Sequence, residues 1–251
     1  MEHAQDAYNR SGIVLSKYLS HSGICARRKA EDLIKSGAVM VNGTVVTQWA
    51  YRVQENDTIT CHGKTLTPQK KLVYIALNKP TEVITTAADD EGRTTVLELV
   101  KIRGNTRLFP IGRLDCMTTG IILLTNDGEL AQSLAHPRFG VEKRYHVVLS
   151  VPLKDYHKRM LRTGAGLPEG MTKPDKIMTF DRKPRECIVC IHSGQNRIIR
   201  KMFHTLGYAV HKLNRTSYAG ISTRGLPKGG WRELTYDEVA ILKRYAQRAE
   251  R

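Results

Sequence analysis

The chain has 251 residues and a formal net charge of +16, with a pI near 9.8. This length suits one large domain or two smaller ones, and the positive charge favours a polyanionic partner. No apolar run approaches the length of a bilayer span, so we expect no membrane partner. The first residues also lack the basic and apolar stretches of a secretory signal.

Two helices and a hairpin are predicted in the first sixty residues. Apolar pairs at Val14-Leu15 and Tyr18-Leu19 recur at helical spacing until Ser22-Gly23 ends the run. A second helix is predicted over residues 26–35. Asn42-Gly43 lies between two β-prone runs, which is a strong hairpin signal, and a further strand is predicted after it.

This order of elements resembles the small RNA-binding domain named after ribosomal protein S4, and we assign residues 11–62 to it. The resemblance implies that the second helix and the hairpin face RNA, with Arg27, Arg28 and Lys29 against phosphates. Guanidinium groups bind phosphate oxygens in a bidentate way, and a helix start adds backbone N–H groups. The alternative is an ordinary surface helix.

A second, larger unit is predicted to follow a linker. Residues 63–71 are polar and lack apolar periodicity, which predicts the linker, and residues 72–247 form the larger unit. Its strands and helices alternate, ending in a helix at residues 236–247. We therefore predict an α+β protein, with a small α-α-β domain and a larger domain whose mixed, largely antiparallel sheet carries flanking helices.

Five cysteines are scattered without a disulfide framework, which suits the reducing cytoplasm. Cys187 and Cys190 have a C-x-x-C spacing, but they lie in a β-like run with no second Cys or His pair nearby. We expect core cysteines and no metal site. No acidic residue occurs from Cys187 to Arg232, which favours phosphate contact, since a solvated face normally mixes both signs of charge.

Asp115 follows Arg113 in a glycine-flanked polar loop that runs into the apolar segment 121–124. An acid on a loop anchored to a buried strand is held rigidly and can still be reached by a substrate. The neighbouring guanidinium favours the ionised carboxylate. We interpret Asp115 as a candidate nucleophile. The alternative is a turn aspartate that bonds its own backbone.

Two further segments place charged or aromatic side chains at a strand or helix end. In residues 142–145, a basic pair precedes Tyr145, which enters a strand. In residues 193–202, a glycine-containing turn starts a helix on which Arg197 and Arg200 lie three apart, on neighbouring parts of one face. Taken alone, such residues are more often half-buried strand residues or surface charges.

Together these segments resemble the RsuA family of pseudouridine synthases over about residues 72–235. They are similar to the family's G-R-L-D, E-K-x-Y and G-x-N-R-x-I-R-x-M motifs. Lys79-Pro80 and residues 229–234 are similar to its opening and closing signatures. Five ordered motifs with an appended RNA-binding domain are far more specific than a single R-L-D.

The resemblance implies a role for each matching position. Asp115 matches the essential aspartate, Tyr145 the tyrosine that stacks on the target base, and Arg200 the basic residue that pairs with the aspartate. The remaining assignments are to RNA binding, where Arg113 lies beside the flipped nucleotide and Arg197 and Lys201 are cationic contacts.

The activity that the resemblance implies is the isomerisation of a uridine in ribosomal RNA to pseudouridine. The spacing of residues 135–145 looks closest to large-subunit members, so we expect 23S RNA, free or in an assembling large subunit. The alternatives are 16S RNA, or a non-catalytic RNA-binding or assembly factor. Isomerisation needs no cofactor. Asp115 could attack C1′, stabilise positive charge there or remove the C2′ proton. We expect a monomer in the bacterial cytoplasm.

Overall fold

The computed structural model describes residues 12–69, 71–87, 89, 91–102, 106–164 and 173–247. The chain divides into two compact units. The first contains Met1–Leu72 and Ile102–Arg107, and the second contains Val73–Lys101 and Leu108–Arg251. The predicted first residue of the small domain, residue 11, lies outside the described residues.

The first unit packs two helices on small antiparallel sheets. Its elements are β1 (Ile13–Val14), α1 (Leu15–His21), α2 (Arg27–Lys35), β2 (Val39–Val41), β3 (Thr44–Val45), β4 (Arg52–Val53), β5 (Ile59–Cys61) and β6 (Lys64–Leu66). The strands form a four-stranded sheet of order β3-β2-β5-β6 and a separate β1-β4 pair. Leu15, Leu19 and Ile34 on the helices pack against Val39 and Ile59 of the sheet.

Two tight turns shape this sheet. The predicted hairpin is confirmed: Asn42 and Gly43 have φ values of 50° and 80°, as the favoured two-residue hairpin turn requires. Residues 64–66, part of the predicted linker, instead form β6, paired with β5. His62 and Gly63 make a second turn with positive φ at both residues. Strand β6 is short and mostly polar, and it lacks the alternation of apolar and polar residues that predicts a strand from sequence.

The second unit is built on one large sheet. Its elements are β7 (Tyr74–Lys79), β8 (Phe109–Ile111), β9 (Thr119–Thr125), α3 (Gly128–Ala135), β10 (Lys143–Leu149), α4 (Asp155–Thr163), β11 (Lys176–Phe180), β12 (Lys183–Ile191), α5 (Ile198–Thr205), β13 (Val210–Tyr218), β14 (Ile221–Ser222), β15 (Trp231–Glu233) and α6 (Tyr236–Gln247). The strand order is β11-β12-β10-β13-β9-β7-β15, with β14 beside β13 and β8 beside β9. Only the β9–β13 pairing is parallel among these strands, which confirms the predicted mixed, largely antiparallel α+β class.

Strand β9 lies inside this sheet, between β13 and β7. Because both of its faces are covered, Ile121–Leu124 are all buried, which explains an apolar run without alternation. The following helix α3 begins where the Asp127 carboxylate accepts a hydrogen bond from Leu130 N at 3.0 Å. Leu130 and Leu242 of α6 belong to one core cluster on this side of the sheet. A rigid strand therefore leads directly out of the Asp115 loop.

Candidate active site

A cleft of about 330 Å³ opens in the second unit beside the Asp115 loop. Its walls come from that loop, from β10 and β13, and from the turn before α5. The lining side chains that carry chemistry are Arg113, Asp115, Thr118, Lys143, Tyr145, Arg197 and Arg215. The structure therefore brings together residues that lie as far apart in the sequence as Arg113 and Arg215.

The Asp115 loop is held by its main chain. Thr118 N donates to Asp115 O at 2.9 Å. The Thr85 hydroxyl donates to Leu114 O at 2.9 Å and accepts from Leu114 N at 3.2 Å. None of these bonds uses the Asp115 carboxylate, whose side chain is 40% exposed. The loop thus fixes the residue and leaves its acid available to a ligand.

Lys79, at the end of β7, holds this loop from the protein interior. Its side chain is fully buried, and Nζ donates to the carbonyl oxygens of Pro80 at 2.9 Å, Val83 at 2.6 Å and Cys116 at 2.9 Å. Burial lowers the pKa of Lys79 to about 8, although the nearby Cys116 and Asp115 favour the charged form. The loop that carries Asp115 is therefore tied to a cation beneath it.

Arg197 is the guanidinium beside Asp115. Its Nε lies 3.9 Å from Asp115 Oδ2, and the residue caps α5 in the left-handed conformation, with φ 52° and ψ 29°. Arg200, expected to pair with Asp115, instead donates from Nη1 to Val210 O at 2.9 Å. The left-handed turn directs residue 197 towards the loop, whereas Arg200 lies inside α5 and reaches the start of β13. The expected pairing is thus corrected from Arg200 to Arg197.

Tyr145 enters the cleft from the middle of the sheet. It lies on β10 opposite Val189 of β12 and Arg215 of β13, and it is only 8% exposed. Lys143, two residues earlier, also lines the cleft. An aromatic ring and a basic side chain thus share one wall, as the alternation of a strand requires.

Lys143 binds the backbone of the turn that precedes Arg197. Its Nζ donates to Val141 O at 3.3 Å, to His192 O at 2.9 Å and to Ser193 O at 3.4 Å. Burial lowers the pKa of Lys143 to about 8, and the Arg215 charge acts in the same direction. The amine therefore joins β10 to the turn from which Arg197 reaches Asp115.

Arg215 was not singled out from the sequence as a site residue. It is 2% exposed, and Nε donates to Ile121 O at 2.8 Å. Its guanidinium carbon lies 4.8 Å from the centre of the Tyr218 ring. A Cβ on Gly120 would overlap the Arg215 carbonyl oxygen, so only glycine lets the two strands approach here. The available signal was an arginine two positions after Leu213 in an otherwise β-like stretch.

The other predicted site residues either line the cleft without contacting Asp115 or are absent from its lining. Arg113 lines the cleft and also a second opening of about 580 Å³ that shares Asp115 and Arg197 with it. Lys201 is exposed on α5 and is not part of either lining. In the first unit, the three basic residues at the start of α2 are all exposed, namely Arg27, Arg28 and Lys29.

The described residues offer no evident metal site and no membrane-spanning helix. No group of three or more His, Cys, Asp or Glu side chains among them could hold a metal ion. Cys187 and Cys190 are buried in β12, as predicted for core cysteines, and burial raises the pKa of Cys187 to about 12. None of the described helices is long and apolar enough to cross a bilayer.

Known proteins resemble both units. A family model described as RNA pseudouridylate synthase matches residues 73–205, and an S4 domain model matches residues 15–59. Ribosomal large subunit pseudouridine synthase B of Bacillus subtilis is 43% identical over 237 residues, which cover 92% of this chain and 96% of that protein. Dual-specificity RNA pseudouridine synthase RluF of Escherichia coli O6:H1 is 38% identical over 234 residues, covering 92% and 79% respectively.

A solved structure described as a pseudouridylate synthase has the same fold. Its TM-score is 0.64 at 27% identity, and the match covers 91% of this chain and 98% of that one. The family model includes the Asp115 loop, β10 and the turn before α5, which together form most of the cleft lining. This chain therefore belongs to the RsuA family of RNA pseudouridine synthases and carries an N-terminal S4 domain.

Proposed function

We propose that this enzyme converts a uridine of ribosomal RNA, in the 23S molecule, to pseudouridine. The observation that carries the proposal is the Asp115 carboxylate, fixed by its backbone and open to a cleft that also contains Tyr145 and Arg197. The relatives support the substrate class, since one of them is named for the large ribosomal subunit. That substrate in turn favours action in the cytoplasm, and we expect the enzyme to act as a monomer.

The target base has to leave its stack to reach Asp115. Flipping a nucleotide costs a few kcal/mol, which contacts in the pocket must offset. We assign the stacking surface to Tyr145 and the side chain that fills the vacated position to Arg113. Arg113 suits that role because it lies at the rim, between the two openings around Asp115.

The chemistry follows from the position of the carboxylate. The N1–C1′ bond breaks, the uracil turns, and C5 bonds to C1′. An ionised Asp115 can bond to C1′, stabilise positive charge there, or remove a proton from C2′. Arg197, 3.9 Å away, orients the carboxylate. A bound base that excludes water from the cleft would strengthen these charge interactions.

The charges around the cleft fit RNA. The cleft lining contains one carboxylate, that of Asp115, and four basic side chains, namely Arg113, Lys143, Arg197 and Arg215. A cleft with this excess of positive charge attracts phosphate groups and raises the rate of encounter. We assign backbone contact to the exposed Arg197 and, on the other unit, to Arg27, Arg28 and Lys29.

A matched pair of RNA substrates tests the proposal. Wild-type protein is expected to form pseudouridine in 23S RNA, detected by chemical mapping, and none in 16S RNA. The Asp115→Asn variant should bind RNA with similar affinity, because no cation is removed, and should form no product. Asp181→Asn serves as the control, since that carboxylate lies outside the cleft lining.

Three outcomes would contradict parts of the proposal. Product in 16S RNA alone would reassign the substrate. Product from Asp115→Asn at the wild-type rate would exclude a chemical role for this carboxylate. RNA binding by the wild type without any product in either RNA would favour a non-catalytic binding factor.

A further inference from the structure

Two residues that line the cleft carry buried polar atoms without a partner. Among the described residues, three buried side-chain atoms have no hydrogen-bond partner: Ser16 Oγ, Thr118 Oγ1 and Arg215 Nη2. Two of the three belong to residues that line the cleft, Thr118 and Arg215, and each of these residues is only 2% exposed. Buried donors without partners are rare in folded proteins, and each one needs an explanation.

Arg215 is held in place by contacts that leave one of its nitrogens unused. Nε donates to Ile121 O at 2.8 Å, and Nη1 lies 3.5 Å from Arg113 O. The guanidinium also stacks over the Tyr218 ring at 4.8 Å. The partner groups in these contacts carry no charge, and none of the ion pairs between described residues involves Arg215. A fixed positive charge therefore lies at the cleft without a counter-charge.

Its position points to the base of a bound nucleotide. Arg215 is the cross-strand neighbour of Tyr145, to which we assigned the stacking surface. The more exposed Arg197, 58% exposed, is better placed for the charged backbone of RNA. A cation buried beside the stacking ring meets the uracil instead.

We propose that Arg215 is a further catalytic residue, whose guanidinium stabilises the negative charge on the uracil when its bond to the sugar breaks. Thr118 provides a second hydrogen bond to the same base. This inference rests on the proposed function, because it requires the detached uracil as an intermediate. Preorganised donors aimed at a developing charge are among the strongest contributors to catalysis.

The electron balance shows where this charge arises. When the N1–C1′ bond breaks, its electron pair leaves with the uracil and spreads over N1, O2 and O4. Asp115 stabilises the positive charge that develops at C1′. After the uracil turns, C5 returns an electron pair to C1′, the C5 proton passes to water, and N1 takes a proton from water. No oxidant, reductant or co-reactant is needed.

A substrate with a better leaving group separates this role from a structural one. Fluorine at C5 of uracil withdraws electrons and stabilises the detached anion. The reaction of 5-fluorouridine therefore needs less stabilisation of that negative charge from the protein. Single-turnover loss of the N1-linked target nucleoside is measured at saturating RNA, with uridine and with 5-fluorouridine. The variants are Arg215→Lys, Arg215→Met and Thr118→Val.

Arg215→Met should lower the rate with uridine by roughly 10²-fold, the size found when one such donor is removed. The loss with 5-fluorouridine should be several-fold smaller. Arg215→Lys keeps the charge and should fall between wild type and Arg215→Met. Thr118→Val, which keeps the shape of the side chain, should show a weaker form of the same pattern. Arg185→Met is the control, since Arg185 is exposed at the far end of β12 and should leave both rates unchanged.

The inference is overturned if the folded Arg215 variants react as fast as wild type, or lose equal factors with the two bases. Thermal melting identifies a variant that has not folded. Arg215→Lys and Thr118→Val then decide the result by the same comparison. Failure of the proposed function gives a different result, because wild-type protein would then form no pseudouridine from uridine.

Discussion

Arg197 shows how one backbone conformation sets the geometry at Asp115. A non-glycine residue in the left-handed region is uncommon and costs of order 1–3 kcal/mol, so it persists where the surroundings require it. Here it starts α5 and brings Nε to 3.9 Å from the carboxylate. The strained residue therefore coincides with the charge pair on which we expect the chemistry to depend.

Two arginine substitutions distinguish the observed pairing from the one implied by family resemblance. Arg197→Met should lower the single-turnover rate of pseudouridine formation by up to about 10²-fold, because the carboxylate loses its orienting partner. Arg200→Met should leave that rate nearly unchanged and lower the free energy of unfolding by about 1–2 kcal/mol, through loss of its bond to Val210 O. The opposite pattern of rates would support a pairing between Arg200 and Asp115.

Lys79 is expected to stabilise the loop that carries Asp115. Lys79→Met leaves three carbonyl oxygens without their donor, so we expect the free energy of unfolding to fall by roughly 2–4 kcal/mol. Lys183→Met, on an exposed side chain, is the control and should change it by less than about 0.5 kcal/mol. Urea titration measures both. A Lys79→Met protein as stable as wild type would mean that other groups hold the Asp115 loop.

The lowered pKa of Lys79 gives the sign of the pH dependence. In the folded state this amine releases its proton near pH 8, whereas in the unfolded chain it does so near the ordinary value of 10.5. At Lys79 the unfolded state therefore binds more protons between these values, and the contribution of this residue to stability should rise with pH across that interval. Lys79→Met lacks this contribution, so the difference in free energy of unfolding between wild type and variant, measured by urea titration at each pH, should grow from about pH 8 to pH 10.5.

At the scale of elements, β13 explains what the sequence could and could not reveal. The strand runs from Val210 to Tyr218. Register shifts against β10 interrupt its pairing, and Arg215 stands where an apolar residue would have marked a buried position. The local signal, an arginine in a β-like stretch, does not distinguish an exposed side chain from a buried one that bonds to Ile121 O of another strand, so this part of the cleft could not be derived from periodicity.

The elements that were predicted well carry local signals. The Asn42-Gly43 turn and the buried strand β9 were both predicted correctly, because each depends on residues that are adjacent in the sequence: an Asn-Gly pair for the turn and a run of apolar residues for the strand. Strand β15 was missed, because its pairing with β7 depends on contacts about 155 positions apart in the chain. The motifs located Asp115 and Tyr145 in the cleft, but the choice between Arg197 and Arg200 depended on the backbone conformation at one helix start.

Gly120 tests the contact between β9 and β13. It has φ +111°, and an added Cβ would overlap the backbone of Arg215. Gly120→Ala should therefore lower the free energy of unfolding by roughly 2–4 kcal/mol, from backbone strain and overpacking together. Gly140→Ala is the control, because Gly140 also has positive φ but open space around it, and should cost only about 1–2 kcal/mol. Equal losses in denaturant titrations would mean that the close approach of the strands adds nothing.

At the scale of the whole molecule, the first unit is the expected RNA anchor. It cannot be tested cleanly by truncation, because Ile102–Arg107 belongs to it although it lies far along the chain. Arg107 donates from Nη1 to Cys25 O at 3.0 Å within this unit. Deleting the N-terminal residues would therefore remove the partner of a segment left in the second unit's sequence. Charge substitution avoids this problem.

Neutralising Arg27, Arg28 and Lys29 together with glutamine should weaken RNA binding and reduce its dependence on salt. Each single-strand phosphate contact contributes about 0.7 to the slope of log K against log salt concentration, so the loss of three should reduce the slope by about 2. The control neutralises three exposed cations on or next to α4, Lys154, Arg159 and Arg162. It changes the net charge equally and leaves both α2 and the cleft lining unaltered. If both triple variants lower the slope by the same amount, RNA responds to the overall charge of the protein, and the start of α2 has no specific role as an anchor.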